Sequence, residues 1–481
     1  MIPDMLESIQ SRLKHTFYLD LRMLASFRIG LGSITLWDLL NRVVAFEAHY
    51  GTTGVLPPNK ATWYADFLAL TPLHLWLSTD SQQALLFFLH GLAALALIFG
   101  LKTRWMTVIC WLFLNSLHIR NPVILYGADR ELAALFFWAM FLPLGAQWSL
   151  DMKQRCEWRG KCRTEGWACA GLILQVALIY FTSVWSKSGN AWSNGSAVEL
   201  ALNIDAYTSD FGRMLLSYPI LLKALTYGTL TIEWIAPLLL LGGHRTSLRM
   251  TGCWMLISLQ SGFLVFMRLG LFPLVSIIAL IALIPLRVSS QKDRSNPPKQ
   301  SIHSSLEIAA VIFVCLMLIW QVAIIQNQFR ANVVLSKTPD PIAWILKTTR
   351  MAQSWSMFSP DPPEKDGWFI LEYHDTQKGK SVDLLRNGEA MNWEKQSSDR
   401  RGFGADRWKE WFNKVHLRGL NWDQTVNYFA REHRKLNPSN EEESFMPIRL
   451  WYVEESAQRP HQAPERHLLF ESKQSDSTST R

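Results

Sequence analysis

Apolar runs of close to twenty residues, separated by short polar loops, are the feature that most limits how this chain can fold. A run of that length crosses a hydrocarbon layer about 30 Å thick as a helix, which satisfies its own backbone where no water can. About nine such runs can be read, at roughly 23–46, 82–101, 105–119, 131–148, 167–185, 219–242, 248–267, 270–287 and 305–326. The third is short and the first is amphipathic, so eight or nine spans fit. Only 18% of the 481 residues are charged, against about 25% in a soluble domain. The pattern predicts a polytopic α-helical membrane protein with about 8–9 transmembrane helices and a C-terminal α+β exoplasmic domain.

Loop charges set the orientation. With the N-terminus inside, the cytoplasmic loops carry Lys or Arg at 12, 14, 22, 102, 104, 153, 155, 159, 161, 163, 245, 249, 287, 292, 294 and 299. The opposite loops carry Lys60, Arg120, Arg130, Lys187, Arg213 and Arg268. This asymmetry satisfies the positive-inside rule. It also explains the net charge of +8 better than nucleic-acid binding does. An odd number of spans then places everything after 327, and Lys187 with it, outside.

The expected organisation is a cytoplasmic N-terminus (1–22), a transmembrane bundle (23–287), a polar Pro-containing cytoplasmic linker (288–304), a final span (305–326), an exoplasmic domain (327–470) and a disordered tail (471–481). Within the exoplasmic domain, "WFILEYH" (368–374) alternates as a strand does, with a turn at Lys378-Gly379 and a second strand near 381–385. "ADRWKEWFNKV" and "WDQTVNYFAREHRK" have helical periodicity, and "PIRLWYVEE" (447–455) alternates again. The six cysteines show no CxxC spacing, so neither a disulfide framework nor a metal site is expected. No Walker loop, GxGxxG, HExxH, nucleophile elbow or CxxCH occurs.

Polar residues inside the apolar runs need partners, because a mid-bilayer charge costs about 2.5–3.5 kcal/mol on insertion scales. Arg28, Asp38, Glu233 and Gln260 are of this kind. Arg28 and Asp38 lie too far apart on one helix to pair. With Glu233 they are expected to hold the bundle in shape. A second cluster, "NSLHIRNPVILYGADREL", holds Asn115, His118, Arg120, Asn121, Asp129, Arg130 and Glu131 in one outer loop. It reads equally as a cavity lining or a solvated loop. Lys187 stands at the end of an apolar helix, between Ser186 and Ser188, with Tyr180 on the same helical face. Such a lysine either snorkels to water or is an amine held in poor solvation that can act as a base.

In sequence order, the chain resembles the HTTM (horizontally transferred transmembrane) superfamily, whose best-known member is the vitamin K-dependent γ-carboxylase. The resemblance runs through "LASFRIGLGSITLWDLL" (24–40), "FGLKTRW" (99–105), "NPVILYGADRELAALFFWAMFLPLGAQWSLD" (121–151), "YFTSVWSKSGNAWSNGS" (180–196) and "GFLVFMRLGLF" (262–272). It continues in "QSWSMFSPDPP" (353–363) and "DRWKEW" (406–411).

The resemblance implies that Lys187 is a catalytic base which deprotonates a reduced menaquinone- or vitamin K-type quinol. Oxygen then generates a stronger base that removes a glutamate γ-proton before carboxylation. It implies a cavity that includes Arg120, Asn121, Asp129, Tyr180, Trp192 and Gln260, open to the bilayer and to a peptide or protein on the outer face. This chain departs from the carboxylase at Gly127–Arg130 and at Gln260, where related histidines would stand, and its aqueous domain is shorter. The expectation is therefore a quinol- and oxygen-dependent modifying enzyme in a bacterial inner membrane. The alternative is a non-catalytic accessory factor that binds a lipid or peptide for maturation or export of a secreted peptide. Asn194-Gly195-Ser196 is a glycosylation acceptor pattern that matters only in a eukaryotic host.

Overall fold

The computed structural model describes residues 17–64, 72–154, 161–242, 246–286, 313, 316, 320, 340–351, 353, 355–375, 379–395, 405–420, 422–436, 448–458 and 462–472. The expected linker and most of the N-terminal segment, the last span and the tail lie outside these residues.

Among the described residues, eight longer helices build the bundle: α1 (Leu21–Val43), α2 (Asp80–Phe99), α3 (Thr103–Arg120), α4 (Gly127–Ala139), α5 (Trp167–Ser186), α6 (Pro219–Leu241), α7 (Thr246–Phe266) and α8 (Phe272–Leu283). Four of them, α1, α2, α5 and α6, are long and apolar enough to cross a membrane. Of the expected 8–9 spans, four are thus supported among the described residues. The expected span at 131–148 is a 13-residue helix followed by turns, and that at 270–287 contains a helix of 12 residues. Of the last expected run, Phe313 packs its ring 5.3 Å from that of Phe137.

Local chemistry explains the helix ends. Thr79 and Gln82 form a capping box at the start of α2, and Gly100 ends it in the left-handed conformation at φ 70°. There is no room at Gly100 for a side chain, since an added Cβ would lie 2.3 Å from Ser149 Cβ and 2.8 Å from the Arg28 guanidinium.

A short helix α9 (Asp340–Thr348) leads to a five-stranded antiparallel sheet of order β5-β4-β3-β6-β7. Its strands are β3 (Lys365–Asp375), β4 (Lys380–Asp383), β5 (Glu389–Ala390), β6 (Arg449–Ser456) and β7 (Glu465–Glu471). Helices α10 (Ala405–Leu417) and α11 (Asp423–Leu436) complete the domain. Phe369 on β3 packs its ring 5.0 Å from Phe412 and 5.7 Å from Trp422, joining sheet to helices. Leu346, Met351 and Trp355 belong instead to the core of the bundle. The chain therefore enters the bundle again after α9, which the expected boundary at 327 does not show.

The two ends of the bundle make different contacts. The C-terminal domain meets loops that follow α1, α3, α5 and α7: Arg431 bonds the Thr53 carbonyl, Arg407 that of Ile124, and Lys409 those of Ala206 and Arg268. At the other end a two-stranded ribbon pairs β1 (Tyr18–Asp20) with β2 (Arg163–Glu165). There Arg163 and Arg249 lie 4.4 and 4.3 Å from the centre of the Tyr18 ring.

Candidate functional site

The last turn of α5 is rich in hydroxyls. Thr182 and Ser186 donate back to the carbonyls of Leu178 and Thr182, each at 2.7 Å, which turns their polar atoms inward on the helix. The helix ends at Ser186, and Lys187 leaves it at φ −80°, ψ 66°. Its side chain folds inward. The Lys187 ammonium donates to Ser183 Oγ at 2.9 Å and to the Glu233 carboxylate on α6. Both side chains of the pair are only 4% exposed. Pro237 lies four residues beyond Glu233 and has no N–H to offer the Glu233 carbonyl.

Trp192 covers the pair from above. Its ring centre lies 5.0 Å from Lys187 Nζ, within reach of a cation–π contact. Its indole N–H donates to the Phe358 carbonyl at 2.8 Å. Asp361 accepts from the backbone N–H groups of Asn190 and Ala191 at 3.0 and 2.8 Å. The segment after α9 thus fastens the loop that carries Lys187.

Behind the pair lies a cavity of about 330 Å³ whose walls are overwhelmingly apolar. They come from α6, α7, the short helix Ala197–Leu202 and the residues Met357 and Phe358. Lys187, Glu233 and Ser183 cluster at one end. A second cavity, of about 290 Å³, adjoins it and shares Leu269, Phe272, Met357 and Phe358 as a wall.

The structure gathers some expected residues here and disperses others. Lys187 and Trp192 line the cavity together. Glu233, expected as a bundle support, is the direct partner of Lys187. Tyr180 accepts a hydrogen bond from Gln260 Nε2 at 3.0 Å, but both are buried away from the cavity lining.

Arg120, Asn121 and Asp129 do not reach it either. Arg120 donates to the carbonyls of Tyr50, Gly51 and Leu56 at 2.8–3.1 Å, and Asn121 to that of His49. A planar guanidinium suits such convergent carbonyls, so Arg120 closes a loop instead of facing a ligand. Arg28 likewise donates to the carbonyls of Ile98, Leu144, Gln147 and Trp148, where two loops turn back.

Asp129 belongs to a separate buried network. Arg42 bonds Asp38 at 2.8 Å and Asp129 at 2.5 Å, and Arg407 from α10 bonds Asp38 at 2.5 Å and Asp129 at 2.6 Å. Burial opposes the Arg407 charge, but Asp129 and Asp38 outweigh it and hold the guanidinium above its usual range. Asp38 thus finds one partner on its own helix and one in the C-terminal domain. Arg42 falls four residues after Asp38, and Arg407 stands inside the quoted "DRWKEW"; that spacing and that motif are the available signals.

Apolar helices long enough to span a bilayer, closed around a buried lysine–glutamate pair, define an integral membrane protein with an internal apolar site. Residues 18–286 match the HTTM domain family, and the chain belongs to that family. No curated protein and no solved structure matches it.

Proposed function

We propose that the protein is a quinol-dependent modifying enzyme in which Lys187 serves as the base. The observation that carries this reading is the apolar cavity of about 330 Å³ with a single buried amine and carboxylate at one end. A reduced menaquinone- or vitamin K-type quinol would supply an acidic hydroxyl and reducing electrons for oxygen. The lining suits such a head group: Trp192, Phe263, Phe266 and Phe272 offer aromatic faces, and hydroxyls and charges gather at Ser183, Lys187 and Glu233.

Lys187 Nζ is the atom to take the hydroxyl proton. Glu233 and Ser183 hold Lys187 Nζ at the end of the cavity where a head group's hydroxyl would lie. Apolar walls exclude competing solvent. A protein or peptide substrate on the outer face would approach through the second cavity, which Arg130, Lys409, Glu410 and Lys414 make polar. The loop charges favour a C-terminal domain on the outer face, which is the periplasmic side in the bacterial inner membrane that the family resemblance suggests.

The test is oxygen uptake by the purified protein in lipid nanodiscs on addition of chemically reduced menaquinone. Uptake that falls by about 10²-fold or more in Lys187→Met/Glu233→Met, in which no buried charge is left unpaired, as loss of a general base predicts, sustains the reading. Equal uptake in the two proteins sinks it. The second reading, a lipid- or peptide-binding accessory factor without turnover, is favoured by the closeness of the Lys187–Glu233 pair, which leaves the amine occupied. Bound quinone without any uptake would select it.

A further inference from the structure

The amine belongs to the bundle, but the anchors of its cover do not. Residues 18–286 match the family, whereas Phe358, Pro360 and Asp361 lie on a strap beyond that range. Gln353 fixes the near end of the strap. It accepts from Gln175 on α5 at 2.9 Å and donates to the Arg130 carbonyl at 3.4 Å. Met357 and Phe358 then form part of the cavity wall. At the far end the Pro360 carbonyl takes the Gly189 N–H at 3.1 Å, beside the Phe358 and Asp361 bonds to the same loop.

Asp361 makes the contact that the loop cannot make for itself. The helix it meets, Asn190–Asn194, has five residues and no side-chain cap of its own, because Gly189 stands at its N-cap. The first N–H groups of a helix have no partner within it. Asp361 takes two of them, one on each carboxylate oxygen, at the helix end that favours a negative charge. Glycine makes this approach possible: a Cβ added to Gly189 would lie 2.0 Å from Asp361 Oδ2. Only Ser188 and Gly189 separate Lys187 from the capped helix, and Trp192 is its third residue. The strap therefore sets the indole over the amine twice, by Asp361 through the helix and by the Phe358 carbonyl through the indole N–H.

We propose that Asp361 is a positioning residue for Lys187. By capping the helix it keeps Trp192 seated over the amine and closes the Lys187–Glu233 pair to water from the outer face. That the amine acts as a base rests on the quinol reading above; that Asp361 holds its cover does not. The site is composite: the matched domain supplies the amine, and the strap fixes the cover against which a head group is pressed.

The test compares full-length wild type with Asp361→Leu, Asp361→Asn and Gly189→Ala in nanodiscs, well below their thermal midpoints. Access to the amine is read as the rate of Lys187 acetylation by a water-soluble N-hydroxysulfosuccinimide ester, followed by peptide mass spectrometry. Lys414, which bonds the Leu125 carbonyl across the domain contact, reports any general loosening. In Asp361→Leu the Lys187 rate is expected to rise at least about tenfold while that of Lys414 stays within about threefold, since one lost hydrogen bond to a charged acceptor shifts an equilibrium that far. Asp361→Asn keeps one acceptor oxygen and should fall between Asp361→Leu and wild type; Gly189→Ala should follow Asp361→Leu. Wild-type protection of Lys187 in both Asp361→Leu and Gly189→Ala overturns the proposal, and so does an equal rise at Lys414. Where wild type takes up oxygen with reduced menaquinone, Asp361→Leu should also lower kcat at least about tenfold, as misplacement of a reacting group does, with KM within about threefold. A rise in KM with kcat unchanged would make Asp361 a support of the binding wall and overturns the positioning role. No uptake by wild type removes the quinol reading alone, and the acetylation rates still decide what holds the cover.

Discussion

Arg407 and Asp38 meet at 2.5 Å although 369 residues separate them. Arg407 extends from the C-terminal domain into the bundle and shares Asp38 and Asp129 with Arg42, all four side chains being at most 4% exposed. Two arginines balance two carboxylates, which is how buried charge is tolerated. Removing one partner leaves the others uncompensated, and such changes cost about 3–5 kcal/mol. Arg407→Met is therefore expected to lower the thermal midpoint and to raise amide exchange in α10. Arg407→Lys is expected to rescue little, because one ammonium cannot reproduce the forked set of bonds. Arg407→Met/Asp38→Asn, which restores balance, is expected to recover much of the loss. No recovery in the double variant would argue against charge balance as the cause.

Lys187 and Glu233 obey the same rule with a different consequence. Lys187→Met strands a buried carboxylate and is expected to cost about 3–5 kcal/mol, whereas replacing both members by apolar residues is often neutral. Lys187→Met/Glu233→Met should then unfold near the wild-type temperature yet show no quinol-dependent oxygen uptake. Restored uptake in that stable double variant would mean that the pair is only a structural tie.

Much of this was legible from residue pattern, and the gaps have physical causes. Period and length placed the helical runs, and alternation placed β3 at 368–374 and β6 at 447–455, because both signals are local. Span count was harder: α4 and α8 are cut short within longer apolar runs, since a buried segment can turn where neighbouring groups satisfy its backbone. Lys187 and Trp192 could be singled out because seven residues or fewer bring them to one loop. The sequence marks Glu233 only as a buried polar residue, because its partner Lys187 follows another helix and no local spacing reveals that. Arg120, Asn121 and Asp129 shared a polar loop with apparent site character, but side-chain direction sent them to backbone carbonyls and to Arg42 and Arg407.

Docking of the C-terminal domain should also depend on pH. Lys395 bonds Asp205 in the loop after α5 at 2.8 Å, Asp366 at 2.9 Å, and Glu455. Burial of Lys395 opposes its charge, but Asp366 and the bonds to Asp205 and Glu455 raise its pKa overall. A raised value means stability that is full below the unfolded pKa near 10.4 and lost as pH rises through the folded value. Burial would raise the Asp205 carboxyl, but Lys395 and Arg213 hold it below its ordinary value. A lowered value means stability present above about 3.9 and lost as pH falls through the folded value. Amide protection around Asp205 and Asp366, corrected for the intrinsic pH dependence of exchange, is expected to be flat between these limits and to fall outside both. Lys395→Met should abolish the alkaline limb and move the acid limb upward.

Two glycines in membrane helices or at their ends should respond oppositely to the same substitution. Gly100 ends α2 at φ 70°, where an alanine is strained, and its Cβ would overlap Ser149 and press on the guanidinium of Arg28. Arg28 holds the carbonyls of Ile98 and Trp148 together at this point, so the clash reaches a buried charge. Gly100→Ala is expected to destabilise by more than about 1 kcal/mol, beyond what the backbone change alone brings. Gly228 lies in helical backbone with open space beside it. Gly228→Ala should stabilise α6 by up to about 1 kcal/mol through helix propensity. Thermal unfolding followed by tryptophan fluorescence separates the two, with midpoints shifted down and up respectively. A stable Gly100→Ala protein would show that the α2 end can rearrange around Arg28.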